Sequence, residues 1–200
     1  MLIIIFCVLA YFLGAIPTGY IITKLVKGID IRKSGSGNPG ATNVYRTAGA
    51  AAGITTFLFD TFKGFLPVAL ATAYLGGDKA AWGIIVGLCA VAGHMWTVFL
   101  GFKGGKGVAT ACGVFFALMP VPTLLAFVLF FAVLYFTRYV SAGSICAALF
   151  LPAYSWLTGE PRMLSAFASL IGIVIIIKHK KNIERLIKGT ENRFGEKAHE

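Results

Sequence analysis

The chain has 200 residues, of which 58% are hydrophobic and only 13% charged, about half the charged share of an ordinary soluble domain. With a mean hydropathy of +0.81, this composition excludes a water-soluble enzyme. The formal net charge of +10 does not indicate a nucleic-acid partner, because where the charges fall matters more than their sum. The sequence reads as an all-α polytopic membrane helix bundle forming a single domain over residues 1–200.

Taken in order, the apolar runs near 2–24, 48–76, 80–101, 107–119, 121–137, 139–158 and 163–178 are compared with the roughly 20 residues that cross a bilayer. The first lacks a basic leader and is too long for a signal-peptide core, so it is a retained helix. The second exceeds the hydrocarbon core by about 14 Å. Its early part, 48–59, is therefore expected near the interface, with Asp60 and Lys63 close to the cytoplasmic face and Pro67 tilting the span. The fourth run is short, covering about 20 Å of a roughly 30 Å core; it reads either as a thin span or as part of a bent helix through Pro120 and Pro122. Charge decides between these. If all seven runs cross, fifteen of the 18 basic residues share one side, Lys79 and Arg162 share the other, and Lys63 lies within a run. The positive-inside rule then predicts seven transmembrane helices, the N-terminus outside and the C-terminus cytoplasmic. Gly83 and Gly87 have the spacing of close helix packing. The cysteines Cys7, Cys89, Cys112 and Cys146 are scattered one per run and read as inert.

The polar residues gather in the segments predicted to be cytoplasmic. Ser34, Gly35, Ser36, Gly37, Asn38, Pro39, Gly40, Ala41, Thr42 and Asn43, followed by Arg46, combine positive-φ glycines with side-chain donors, a composition suited to phosphate. The stretch matches GxGxxG, but no hydrophobic strand precedes it and Pro39 interrupts it, so a dinucleotide fold is excluded. Asp60 and Lys63 lie three apart on one helix face, as an ion pair or as part of an anion site with Gly64. His94 precedes Phe102, Lys103, Gly104, Gly105, Lys106 and Gly107, by about 12 Å if the helix continued. That turn has neither the spacing nor the Ser/Thr of a Walker A loop, and reads as amide donors opening the next helix toward an anion. Arg138, Ser141 and Ser144 recur every third residue, as do His179, Asn182 and Arg185. Both triplets suit helix capping or a shared polar site. Few acids accompany them, so neither a metal nor a cofactor is expected.

These motifs resemble a bacterial membrane family that acylates glycerol 3-phosphate with acyl phosphate as donor. The resemblance rests on the loop Ser36 to Arg46, on Asp60, Lys63 and Gly64, on Gly93 and His94 leading to 102–110, and on the tail 179–191. It implies a multi-pass enzyme of the bacterial plasma membrane with its active site at the cytoplasmic face and its place at the first acylation of phospholipid biosynthesis. Acyl phosphate, glycerol 3-phosphate and membrane lipids would be its partners, with no obligate protein partner. An acyl phosphate is already activated, so the residues need only hold two phosphates and aim a hydroxyl. His94, Asp60 and Lys106 are the expected catalytic residues. Ser34, Ser36, Gly37, Asn38, Gly40, Thr42, Asn43, Arg46, Lys63, Gly64, Lys103, Gly104, Gly105, Gly107, Arg138, Ser141, Ser144, His179 and Asn182 are expected to bind substrate. The His-x4-Asp dyad of other glycerolipid acyltransferases is missing, since Phe99 follows His94 at that spacing and Glu184 follows His179. The rival reading is a transporter for phosphate or a phosphorylated metabolite, which would place polar residues at mid-membrane.

Overall fold

Proline, glycine and a few caps cut the apolar sequence into helices. The computed structural model describes residues 1–195. Helix α1 (Leu2–Ala15) stops because Pro17 forces Ile16 into an extended conformation, and α2 (Thr18–Lys27) ends on left-handed Gly28. Helix α3 (Ala41–Ala48) is separated from α4 (Ala50–Tyr74) by Gly49 alone, at φ 95°. The Asp78 carboxylate accepts the N–H groups of Ala80 and Ala81 to start α5 (Lys79–Met95). After α6 (Val108–Leu118), Pro120 opens α7 (Pro120–Thr137), where its missing N–H costs nothing. The remaining helices are α8 (Val140–Leu157), α9 (Arg162–Lys178) and α10 (Lys180–Ile187).

Among the described residues five helical stretches are long and apolar enough to cross a membrane: Leu2–Lys27, Ala50–Tyr74, Lys79–Leu100, Pro120–Thr137 and Val140–Leu157. A sixth arises if α9 and α10 count as one, although they are bent by 59°. Each of the seven expected runs contains a helix, but the first is broken at Ile16–Pro17, the third leaves the α-helix after Met95, and α6 has 11 residues, about 17 Å of helix, well short of a bilayer core. The expected interfacial stretch at 48–59 differs in detail. The break falls at Gly49, and α4 continues without interruption past Asp60 and Lys63 and through Pro67.

The chain divides into two compact units, one of Met1–Val114 with Gly195 and one of Phe115–Phe194. In the first, α1 packs on α5, α5 on α4, and α2 and α3 on α4. Its backbones come close at glycines. A Cβ on Gly14 would lie 2.2 Å from the Ala90 carbonyl oxygen and one on Gly93 would lie 2.1 Å from that of Tyr11, so no larger residue fits between α1 and α5. Gly64 and Gly113 do the same between α4 and the start of α6. Gly83 and Gly87 are buried in α5. In the second unit α7, α8 and α9 pack in succession, with the Phe115 and Phe167 rings 5.1 Å apart and Gly172 against the Ala148 carbonyl.

Candidate functional site

Helix period brings Asp60 and Lys63 together on α4, and burial makes the pair obligatory. Their side chains are 3% and 5% exposed, and Lys63 Nζ lies 2.7 Å from Asp60 Oδ1. A side-chain amine so buried must find hydrogen-bond acceptors within the protein. The second acceptor is the Ile16 carbonyl, 2.8 Å away, which the Pro17 break releases from helical bonding. His94, in the last turn of α5, points Nδ1 at the same carboxylate oxygen from 3.8 Å.

After Met95 the chain reverses. The Thr97 hydroxyl caps a short 3-10 turn, Val98–Leu100, and donates to the Ala15 carbonyl, while Gly101 and Phe102 both adopt left-handed backbone, with φ of 61° and 62°. The 12 Å that a continued helix would put between His94 and the basic turn is thereby closed. Gly105 lies so near the imidazole that a Cβ there would be 2.2 Å from Nε2. The same reversal corrects one expectation. The N–H of Gly104 donates to the Met95 carbonyl and that of Gly105 to the His94 carbonyl, so these two amides hold the turn onto α5 and do not face an anion. Lys103 is exposed and Lys106 half-buried, next to Gly107, whose carbonyl accepts the Ala111 N–H in the first turn of α6.

A pocket at this place is lined by Ile16, Pro17, Pro39, Asp60, Lys63 and His94, with Thr97, Gly104 and Gly105 beside them. Pro39 brings in the serine-glycine loop, whose carbonyl at that residue abuts Gly19 on α2. Within the loop Gly35 and Gly37 have the expected positive φ, whereas Gly40 does not and instead caps α3. Asn43 is buried. Its carbonyl oxygen accepts the Ser36 N–H and its amide donates to the Ser34 and Ile31 carbonyls. Asn38 accepts the Gly40 N–H. These asparagines therefore fix the shape of the loop; the hydroxyls of Ser34, Ser36 and Thr42 belong to partly exposed or exposed residues. Arg46 is half-buried on α3. Arg32 pairs with Asp30 at 2.7 Å and lies over the Tyr20 ring; hydrogen bonding from its guanidinium holds the Asp30 carboxyl down to about 2. Gly64 lines the α4–α6 contact, since a Cβ there would meet the Thr110 carbonyl oxygen at 2.1 Å.

The second unit holds a different polar cluster. The Glu191 carboxylate accepts the Ser141 hydroxyl at 2.8 Å, the Asn182 amide at 2.6 Å and Arg185 Nε at 2.6 Å. Burial alone would raise its pKa, but these three donors outweigh it and hold the carboxyl below the usual glutamate range. Ser144 donates to the Val140 carbonyl within its own helix, and His179 Nδ1 lies 2.8 Å from the Ile175 carbonyl. Arg138 is exposed, in left-handed backbone at φ 62°, and exchanges hydrogen bonds with Phe194. The structure thus brings together Asp60, Lys63, His94, Gly104 and Gly105 in one unit and Ser141 and Asn182 in the other. Sequence reasoning missed the Ile16–Pro17 break and Thr97 as pocket walls. It also missed Glu191 as a hub, although an acid after a basic tail helix was a visible signal. Among the described residues no three His, Cys, Asp or Glu side chains converge as metal ligands.

Fold and site define a multi-pass membrane protein with a buried, charge-compensated pocket under glycine-rich loops. Its relatives make the class specific. The family model described as glycerol-3-phosphate acyltransferase matches residues 4–189, and the chain belongs to that family. It is 46% identical over 191 residues to the glycerol-3-phosphate acyltransferase of Fusobacterium nucleatum subsp. nucleatum, covering 94% of this chain and 96% of that protein. To that of Geobacter sulfurreducens it is 47% identical, covering 96% and 97%. A crystal structure of PlsY (YgiH), an integral membrane glycerol 3-phosphate acyltransferase, in its glycerol 3-phosphate form, superposes with a TM-score of 0.92 at 43% identity, covering 98% of this chain and 96% of that one. The lysophosphatidic acid form gives 0.87 at 41%, with the same coverage. The chain is accordingly an acyltransferase of phospholipid biosynthesis, and the transporter reading falls away.

Proposed function

We propose that the chain transfers a fatty acyl group from acyl phosphate to the 1-hydroxyl of sn-glycerol 3-phosphate. The hydroxyl oxygen forms the new ester as the acyl–phosphate anhydride bond breaks, giving lysophosphatidic acid and inorganic phosphate. The observation that carries this reading is the buried Asp60, Lys63 and His94 cluster in a pocket walled by the serine-glycine loop and the basic turn. The solved relative in its glycerol 3-phosphate form supports the acceptor, and the family resemblance supports the donor.

In this reading Asp60 turns Nδ1 of His94 toward itself, and Nε2, on the Gly105 side, positions the hydroxyl and takes its proton. The imidazole and carboxylate, 3.8 Å apart, are near enough for a small shift of the ring to bring them into hydrogen-bond distance. Lys106, Lys103 and Arg46 neutralise the phosphates, with hydroxyls of Ser34, Ser36 and Thr42 as further donors. Lys63 serves the site through Asp60. Seven passages, with the N-terminus outside and the C-terminus and pocket on the cytoplasmic side, agree with the positive-inside distribution of lysine and arginine. A family match running across both compact units supports one acyltransferase domain.

Purified protein supplied with glycerol 3-phosphate and, in parallel, acyl phosphate, acyl-CoA or acyl-carrier protein tests the donor. Lysophosphatidic acid and stoichiometric phosphate should appear from acyl phosphate. Product from acyl-CoA alone would keep acyl transfer and overturn the donor.

A further inference from the structure

The short helix α10 follows α9, an apolar helix of 17 residues, and is bent 59° away from it, so if α9 crosses the bilayer α10 turns toward the membrane plane. Its residues sort into three sides at about 100° per residue. One side faces the protein, where Asn182 is buried and both Asn182 and Arg185 donate to Glu191. A second is apolar, with Ile183 and Leu186 half-buried and Ile187 82% exposed. The third carries Lys180, Lys181 and Lys188, all exposed, together with Glu184. An exposed isoleucine flanked by exposed lysines is costly in water and stable where acyl chains meet headgroups.

We infer that α10 is an interfacial helix that docks on anionic phospholipid headgroups, with Ile187 in the acyl boundary and Lys180, Lys181 and Lys188 on the lipid phosphates. Charge complementarity selects this occupant. Three exposed cations face a single acid on that side, and each lysine near an anionic leaflet attracts by about 1 kcal/mol, roughly a five-fold change in occupancy per charge. Because the protein-facing side of the same helix holds Glu191, anionic lipid would steady the tail that Glu191 anchors.

The full chain reconstituted in nanodiscs of phosphatidylcholine, with or without phosphatidylglycerol, tests this through amide hydrogen exchange over 180–188. Exchange should slow several-fold in the anionic discs and recover at high salt. The variant Lys180→Gln/Lys181→Gln/Lys188→Gln should lose that increment while exchange in α8 and α9 stays unchanged, which shows that it is folded. Identical exchange in neutral and anionic discs would overturn the inference, as would an undiminished response in the triple variant. Equal protection by inorganic phosphate in neutral discs would also overturn it, by assigning the lysines to free anions.

Discussion

Among the described residues each unit buries one carboxylate, and the two are treated differently. Glu191 collects three hydrogen-bond donors from a hydroxyl, an amide and a guanidinium at 2.6–2.8 Å. Asp60 faces a lysine at 2.7 Å and an imidazole at 3.8 Å, at the wall of a pocket. A carboxylate saturated with donors fixes a structure, because every partner is already at its best distance. Asp60 instead pairs with a cation and has the His94 imidazole 3.8 Å away at a pocket wall, where a substrate can reach the ring. On the proposed reading, the contrast gives Glu191 an architectural role and the neighbourhood of Asp60 the chemistry.

The largest effect should come from Asp60→Ala, which leaves the Lys63 ammonium buried with one neutral acceptor. Thermal unfolding in detergent should show a loss of about 3–5 kcal/mol, and adding Lys63→Met should recover part of it. Failure of that recovery would mean that charge balance is not what Asp60 supplies. Glu191→Gln keeps the shape of the second cluster and removes its charge, so stability should drop by about 1–3 kcal/mol with little effect on turnover in the folded fraction. The same residue predicts a pH dependence. Its folded pKa lies below its unfolded one, so its stabilisation is complete above the ordinary glutamate value and is lost as pH falls through the folded value. A melting-temperature profile in acid should therefore be flatter for Glu191→Gln than for the parent.

Smaller and sharper is Gly105→Ala. One methyl group aimed 2.2 Å from Nε2 must push the His94 ring or the turn aside, so turnover should fall by about ten-fold or more while Asp60 and Lys63 remain paired. Smallest is Lys106→Ala, expected to raise KM for a phosphate-bearing substrate by about ten-fold, the size of one charge-assisted hydrogen bond. Unchanged kinetics for both substrates would remove Lys106 from the site.

Much of this comparison is legible in the sequence. Apolar runs locate the helical spans though not the break at Ile16–Pro17, and the three-residue spacing of Asp60 and Lys63 places both on one face because the helical period is local. What could not be read depended on contacts distant in sequence. The reversal after Met95 turns the Gly104 and Gly105 amides back onto α5, and composition alone cannot distinguish that from amides facing an anion. The Ile16 carbonyl that receives Lys63 is 47 residues away in sequence, and the Ser141 hydroxyl is 50 from Glu191. The asparagines of the first loop carry the right donors for phosphate, yet Asn43 uses its side chain on the Ser36 N–H and the Ser34 carbonyl. The shortness of α6 is visible in the sequence as a short run ending before Pro120, whereas the bend at His179 that separates α9 from α10 is not something hydropathy weighs.

The most direct test compares His94→Ala with the parent at saturating acyl phosphate and glycerol 3-phosphate, with melting temperature recorded on the same samples. Turnover should fall by about a hundred-fold or more, the usual contribution of a positioned acid or base, with the melting transition retained. A stably folded His94→Ala protein that turns over at near the parent rate would contradict the assignment of the Asp60 neighbourhood to the chemistry.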